Sequence, residues 1–414
     1  MGDGLVADLF ALWLRLLPLD LMAAFLLSVT VPLAVAFSVF VLRFEGGGHL
    51  IFLMLLFLVC TGVMLANSNV AVFYLAWELA ALLAWAIGQL DAEPTGAIAA
   101  LPMQMAGAVA SMLMIISLAA LASAAGTLDL APLRGDGLEW VGPTLLAALL
   151  LKSLALVGYA WREGRQRLSW ATGAFHVTGG VFLIGLYPYS RLLIGVFGDM
   201  SHWYWRESAV WLGLVGALVC ALAALGEDDT KRVASYGALS QLLVFVAALA
   251  LPSARGLAGA LLMIIVYAAA IAAVFLSLGL VEGATGERRL SRLGGLAAAM
   301  PGTASVFLLA ALCLVGLPPV GAFLGQTLLV STLLQLHSFW PAVLYGLIWA
   351  LTLLYLLRLF RGVFLGAPNQ ATTTRHSLAA VLGLASVAAL LLAFGLLPFW
   401  TSGAVEPIVG QLMK

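Results

Sequence analysis

The chain has 414 residues, of which 64% are hydrophobic and only 9% are charged, and its mean hydropathy is +1.11. Soluble domains carry about 25% charged residues, so this composition excludes an ordinary globular enzyme and indicates an integral membrane protein. The formal net charge is zero, which gives no electrostatic case for binding nucleic acid. Three isolated cysteines, without a Cys/His cluster, predict that this chain holds no metal, haem, iron–sulfur centre or other cofactor.

The apolar segments of the chain are long enough, or nearly so, to cross a bilayer, which requires about 20 residues each. The first 48 residues are predicted to contain an interfacial helix and the first span. These segments lack the period-two alternation of barrel strands, so the sequence predicts an all-α polytopic transmembrane bundle of about thirteen spans. The predicted spans are 20–43, 49–66, 68–90, 96–124, 140–161, 169–195, 208–225, 231–251, 256–281, 300–316, 320–337, 340–364 and 376–398.

Basic residues are concentrated in three predicted connections, 162–167, 226–232 and 282–292. With thirteen spans these connections lie on one side of the membrane, which the positive-inside rule assigns to the cytoplasm. The same count places Arg358 and Arg361 on the opposite side, and one miscounted helix would break the alternation.

Glu78 and Lys152 are ionisable residues inside apolar spans of the first half of the chain. Glu78 lies in YLAWELAALLAW, and Lys152 lies in TLLAALLLKSLALVGYAW. An ammonium near the bilayer centre is disfavoured by roughly 3 kcal/mol on insertion scales, so it usually has a partner. Pairing would offset part of the desolvation cost and keep both groups titratable, as a proton relay requires. A structural ion pair that locks two helices is the alternative.

Two further residues are candidates for the same relay, and one motif predicts a helix break. His176 in WATGAFHVTGG titrates near physiological pH, although a lone histidine can equally donate to a backbone carbonyl. Lys231 opens a helix in GEDDTKRVASYGALSQ, where it can also simply mark the membrane boundary. GLPPVGAFLGQ, with Pro318 and Pro319, predicts either a discontinuous helix that lines an ion path or a simple turn.

These stretches, taken in order, resemble the antiporter-like membrane subunits of respiratory complex I. That family is shared with membrane-bound hydrogenases, formate hydrogenlyase and Mrp-type Na+/H+ antiporters. The similarity extends over about residues 50–365, and its most specific motif is DTKRVASYGALSQL. The resemblance implies two inverted five-helix repeats, each with a broken helix, and a line of buried charges along the membrane midplane. It also implies that Lys152 exchanges protons while Glu78 modulates its pKa.

The second half of the chain departs from the family pattern. Ile271 stands where the family often has a lysine, and Gln326 stands where it has a lysine or a glutamate. A glutamine holds no transferable proton at accessible pH, although it can support a chain of waters. The expected regions are 1–48 with the first span, a charged first repeat 49–225, a second repeat without buried lysines 226–365, and a C-terminal span and tail 366–414.

The function expected from these observations is that of a non-redox, proton-translocating membrane subunit of a complex I-like oxidoreductase, with one functional half-path. A membrane-bound hydrogenase or a divergent NADH:quinone oxidoreductase is favoured, in the cytoplasmic membrane of a bacterium or archaeon. The expected partners are the lipid bilayer, other membrane subunits and a redox arm with iron–sulfur centres, but no nucleic acid. Two alternatives stay open. One is a subunit of an Mrp-like cation/proton antiporter or of another ion-driven transporter, and the other is a degenerate subunit whose charges only hold helices together.

Overall fold

The chain folds almost entirely into helices. The computed structural model describes residues 21–42, 47–89, 101–160, 166–197, 203–318, 321–336, 339–366, 378–396, 405 and 407–410. The interfacial helix predicted near the N-terminus lies outside these ranges. Helices α1 to α13 are Leu21–Val41, Gly47–Ala66, Val70–Gln89, Leu101–Ala125, Val141–Ala160, Gln166–Phe175, Trp203–Gly226, Thr230–Ala250, Ala254–Thr285, Pro301–Val315, Gly321–Leu336, Phe339–Phe364 and Leu378–Leu396. Helix α6 continues without a break into two π-helical stretches, π1 (His176–Leu186) and π2 (Tyr189–Ile194).

The helices form a bundle around α9. Eleven helical segments among the described residues are long and apolar enough to cross a membrane, and two shorter apolar helices, α10 and α11, follow α9. The 32-residue α9 is buried along its apolar length, whereas α2, α4 and α12 expose wide apolar faces. Such faces are expected where helices meet lipid or another membrane subunit, because no water competes there. The predicted class, a polytopic transmembrane helical bundle, is confirmed.

Helices α10 and α11 run end to end along α9, in the opposite direction to it. Near the start of α9, Gly259 and Gly325 of α11 approach so closely that a Cβ on either residue would overlap the other's carbonyl oxygen. Further along α9, Leu314 near the end of α10 lines a small cavity together with Ile271. From α10 to α11 the chain therefore runs antiparallel to α9, from the middle of α9 toward its first residues.

Hydrogen bonds between connections show that α10 and α11 make a single crossing. Arg358, near the end of α12, donates to the carbonyls of Leu225 at 2.8 Å and Glu227 at 2.6 Å, between α7 and α8. The amides of residues 295–297, before α10, donate to the carbonyls of 363–365 at the end of α12. Because α10 begins and α12 ends on the same face, α10 and α11 together traverse the bundle once, and the described residues contain twelve candidate crossings, the eleven long segments and this pair. The sequence predicts thirteen because a break at 316–320 divides one crossing into two apolar runs.

This topology places the basic connections on one side of the bundle. We call this side, formed by residues 226–229, 286–300 and 365–366, the basic face. The expectation that Arg358 and Arg361 lie on the other side is wrong, because it counted α10 and α11 as separate spans. With the single crossing, the positive-inside rule assigns the basic face to the cytoplasm more clearly than the sequence alone does. The basic residues at or beside this face include Lys231, Arg232, Arg288, Arg289, Arg292, Arg358 and Arg361.

Two connections on opposite faces repeat the same backbone arrangement. A short antiparallel bridge pairs Asn69 with Asp129 on one face, and another pairs Asp229 with Arg289 on the basic face. Asn69 and Asp229 each cap the helix that follows, through a side-chain oxygen that accepts from two backbone amides. Along the chain, Asp229 follows Asn69 by the same number of residues as Arg289 follows Asp129. This repetition supports the two inverted repeats that the resemblance implies, whose exact boundaries stay a prediction.

Candidate functional site

A buried ion pair joins α3 and α5 in the first half of the bundle. Lys152 Nζ lies 3.1 Å from Glu78 Oε1 and 3.4 Å from Glu78 Oε2. The side chain of Lys152 is 6% exposed and that of Glu78 is 23% exposed. Counted along their helices, both residues lie on the order of 12–16 Å from the basic face, near the middle of the bundle. The structure thus brings together the two residues that the sequence predicts as partners.

Helix α4 completes the surroundings of Lys152. The ammonium donates to Ser111 Oγ at 2.7 Å and to the Gly107 carbonyl at 3.3 Å. Ser111 Oγ itself donates to the Gly107 carbonyl at 2.9 Å, so it is oriented to accept from the lysine. Lys152 Nζ also lies 4.5 Å from the centre of the Trp77 ring. The sequence did not indicate Ser111 or Gly107, because a serine and a glycine in an apolar helix have no distinctive spacing.

The helix beside this pair is a π-helix. This geometry is rare in proteins, and where it occurs it is often found at functional sites. Trp77 Nε1 donates to the carbonyl of Ile184 in π1 at 2.8 Å, which fixes the ring that faces Lys152. Gly185 lies against the hydroxyl of Ser153, where a Cβ would overlap it. The close approach of π1 to α5 therefore depends on a residue without a side chain.

His176, the first residue of π1, is fully buried between α3 and its own helix. Its Nδ1 lies 2.6 Å from the carbonyl oxygen of Thr172, and its Nε2 lies 2.8 Å from that of Ala84. A carbonyl oxygen only accepts, and a neutral imidazole has only one N–H group. The imidazolium form can therefore donate to both oxygens, so the geometry provides a place for a proton in the interior.

Lys231 belongs to a second cluster, at the basic face. Its side chain is buried, and Nζ lies 5.8 Å from the centre of the Trp170 ring on α6. The expectation that the second repeat, 226–365, lacks buried lysines is therefore wrong, because Lys231 at the start of α8 is covered by the packing of α6. Trp170 Nε1 donates to Glu282 Oε2, and Arg288 Nε lies 3.8 Å from Glu282 Oε1. Sequence reasoning missed Glu282 because the predicted span ends at 281, one residue before it, whereas α9 continues to Thr285.

At the helix break, a tryptophan from a neighbouring helix donates a hydrogen bond to a backbone carbonyl that has no partner in its own helix. Helix α10 ends at Val315 and is capped by Gly316, whose φ of +67° favours glycine. The carbonyl of Val315, left without a partner in its own helix, accepts from Trp349 Nε1 at 2.7 Å. Pro318 is exposed beyond this turn, and Pro319 lies outside the described residues.

Neutral polar groups occupy the second half where the first half carries charges. Gln326 Nε2 donates to Tyr267 Oη at 2.6 Å, and Gln241 Nε2 donates to Thr352 Oγ1 at 3.1 Å. Ile271 and Gln241 line a cavity of about 10 Å³, close to the space that one water molecule needs. Ile271 and Gln326 therefore have hydrogen-bonding groups near them, but neither residue carries a titratable side chain.

Asp228 links the two connections of the basic face. Ser291 Oγ donates to Asp228 Oδ2 at 2.8 Å, and the Ser291 amide donates to Oδ1 at 2.9 Å. The hydroxyl bond, assisted by the amide bond and by the nearby Arg358 and Arg289 guanidinium groups, lowers the pKa of Asp228 below its ordinary value.

The described residues contain no group of three or more His, Cys, Asp or Glu side chains that could hold a metal ion. The cysteines Cys60, Cys220 and Cys313 are free thiols on separate helices. The groups gathered around Lys152, His176 and Glu282 offer acid–base chemistry and charge stabilisation inside the membrane.

The fold and this site define a multi-pass membrane protein with a carboxylate–ammonium pair and a histidine buried at mid-depth. The sequence profile of the family described as "NADH:quinone oxidoreductase/Mrp antiporter, TM" matches residues 67–352, more than half of the chain. The chain belongs to this family. The resemblance inferred from the motifs is therefore confirmed.

Relatives include subunits of quinone oxidoreductases and of cation antiporters. NAD(P)H-quinone oxidoreductase chain 4 1 of Synechococcus sp. (strain JA-3-3Ab) is 27% identical over 330 residues, which cover 77% of this chain and 62% of that protein. Na(+)/H(+) antiporter subunit A1 of Staphylococcus saprophyticus is 23% identical over 407 residues, which cover 89% and 50%. The chain thus spans less than two thirds of the length of either relative.

A solved structure shares the fold across nearly the whole chain. A chain in the structure of respiratory complex I from Thermus thermophilus with bound NADH superimposes with a TM-score of 0.81 at 23% identity. The superposition covers 96% of this chain and 86% of that chain.

Proposed function

We propose that the chain is a non-redox, proton-translocating membrane subunit of a complex I-like oxidoreductase, with one functional half-path that starts at the Lys152–Glu78 pair of the first repeat. The observation that carries this proposal is the Lys152–Glu78 pair, buried near the middle of the bundle and surrounded by oxygen acceptors. Intramembrane ionisable groups are expensive to bury and typically mark ion pathways.

Lys152 is the central proton carrier in this proposal, and Glu78 controls its charge. The carboxylate at 3.1 Å stabilises the ammonium, while burial favours the neutral amine. Protonation of Glu78, or movement of Glu78 away from Lys152, removes the attraction and favours release of the lysine proton. Ser111 accepts from the ammonium and can also donate to the neutral amine, so it can follow either state.

Titratable groups continue from this pair toward the basic face. Ala84, whose carbonyl faces His176, lies six residues beyond Glu78 on α3, or about 9 Å along the helix. Trp170 contacts both Lys231 and Glu282. It lies six residues before His176 on the continuous helix formed by α6 and π1. We propose that protons pass from Lys152 through His176 to the Lys231–Glu282 cluster, with water molecules bridging the gaps. Trp170 can donate but not accept, so it positions Glu282 rather than carrying the proton.

Apart from Lys231 and Glu282 at the basic face, the second repeat is proposed to carry no protons. Its buried groups at the equivalent depth, including Gln326, Tyr267 and Gln241, are neutral and hydrogen-bonded to one another or to Thr352. They support the packing of α9 against the broken helix, and they can hold single water molecules without changing charge.

The partners in this proposal are other membrane subunits and a redox arm with iron–sulfur centres, in the cytoplasmic membrane of a bacterium or archaeon. A membrane-bound hydrogenase or a divergent NADH:quinone oxidoreductase is the favoured complex. The similarity to an antiporter subunit keeps one second candidate, a cation/proton antiporter without electron transfer.

The experiment is purification of the intact complex in gentle detergent, identification of its subunits by mass spectrometry, and reconstitution into vesicles. We expect Lys152→Met to reduce proton translocation per turnover at least about tenfold, a loss characteristic of a removed acid–base group. Arg232→Gln, an exposed change beside the path, is the control and should translocate normally. Unchanged translocation by an assembled Lys152→Met complex would contradict the proposal, and copurification of small membrane subunits alone would favour the antiporter.

A further inference from the structure

A groove opens on the basic face at the end of α12, away from the proposed proton path. It has a volume of about 730 Å³ and lies between residues 290–294 and residues 357–366, which comprise the last turns of α12 and the two residues after it. Its floor is fixed by the backbone hydrogen bonds that join 295–297 to 363–365. The groove therefore belongs to the folded bundle, at the depth where the membrane meets water.

Two guanidinium groups line this groove, and they differ in their surroundings. Arg358 is held by the carbonyls of Leu225 and Glu227, and Asp228 nearby offsets part of its charge. Arg361 is exposed, and its guanidinium group has neither a hydrogen-bond nor an ion-pair partner among the described residues. The groove thus contains one anchored cation and one uncompensated cation, a combination that suits a phosphate group.

The apolar part of the groove continues down the outer side of α12. Leu357 and Leu365 are 52% and 48% exposed, and Leu347 and Leu354 are 49% and 50% exposed. Their spacing of three, seven and eight residues places all four on the face of α12 that carries Arg361. A molecule with an anionic head and apolar chains would find the basic groove and this leucine stripe in continuity.

We propose that this groove binds one anionic phospholipid, with its phosphate beside Arg361 and Arg358 and an acyl chain along the leucine stripe. Basic pockets between transmembrane helices on the cytoplasmic side are suited to such headgroups. A free phosphate would use the two arginines but not the stripe. The uncompensated charge of Arg361 at the membrane boundary favours a lipid over an apolar helix of a neighbouring subunit.

The test is native mass spectrometry of the purified full-length chain, delipidated and then titrated with phosphatidylglycerol or phosphatidylcholine. We expect one bound phosphatidylglycerol, held at least about fivefold more tightly than phosphatidylcholine, the factor that one basic residue near the membrane surface supplies. Arg361→Gln should abolish this preference, and Arg361→Lys should largely retain it. Arg232→Gln, which removes an exposed arginine of the same face outside the groove, should leave it unchanged.

Three results would overturn the proposal. An undiminished preference in Arg361→Gln would show that the lipid binds elsewhere. Displacement of phosphatidylglycerol by equimolar inorganic phosphate would show a site for free phosphate. A crosslink from position 361 to another subunit in the intact complex, without bound lipid, would show a protein contact.

Discussion

Loss of Lys152 alone should destabilise the bundle more than loss of both members of the Lys152–Glu78 pair. Lys152→Met keeps the apolar length of the side chain but leaves the Glu78 carboxylate without its counter-charge. Glu78→Gln keeps the shape of the acid and still offers an oxygen to the ammonium. The double variant removes both charges and leaves two side chains of nearly the original volume.

The structure sets the size of these effects. Removal of one partner of a fully buried ion pair costs about 3–5 kcal/mol. The Glu78 side chain is 23% exposed and so is not fully enclosed, and we expect the lower end of this range, about 3 kcal/mol, for Lys152→Met. Lys152 retains Ser111 and Gly107 as acceptors in Glu78→Gln, which should cost about 1–2 kcal/mol. The double variant should also cost about 1–2 kcal/mol, so the summed costs of the single variants exceed it by a coupling energy of about 3 kcal/mol.

The assay is the free energy of unfolding of the purified chain in mixed micelles, followed by circular dichroism during denaturant titration. Leu154→Met, on an exposed part of the same helix, is the control and should change stability by less than about 0.5 kcal/mol. If the costs of the two single variants simply added in the double variant, the pair would not couple α3 to α5. That result would refute both the relay and the structural interpretation of the pair.

Two further predictions concern the basic face and the helix break. Ser291→Ala removes the principal bond that lowers the pKa of Asp228, and a carboxylate with a lowered folded-state pKa stabilises the fold above its ordinary pKa of about 3.9. Wild type should therefore be more stable than Ser291→Ala at about pH 6, and thermal unfolding should show the difference shrink steadily as the pH falls below about 3.9 and Asp228 becomes protonated. A difference that stayed constant over this acid range would assign it to another cause. Gly316→Ala should lower stability by about 1–2 kcal/mol, because φ is +67° and a Cβ would meet Gln326. Gly302→Ala, where a Cβ meets nothing within 4 Å, is the matched control, and equal effects of the two changes in denaturant titration would contradict the reasoning.

The sequence by itself determined the class of the protein and the identity of its central pair. Long apolar runs must become helices in lipid, because only helices or closed barrels satisfy the backbone there. Glu78 and Lys152 were identifiable because charges inside such runs are rare and expensive. The family motifs also predicted a break near Pro318, where the structure ends α10 at Val315 and starts α11 at Gly321.

The tertiary structure alone decided which helices are neighbours. Lys152 and Ser111 are 41 positions apart, and Trp170 and Glu282 are 112 positions apart, so no local periodicity predicts either contact. The single crossing of α10 and α11 was equally hidden, because hydropathy measures the length of an apolar run but not the direction of the next one. Hydrogen bonds from Arg358 to a connection far away in sequence fix that direction. In this protein, the sequence therefore reveals which side chains can be charged or titrated. Which membrane face each group lies near, and which group it contacts, depend on packing between segments that are distant in sequence.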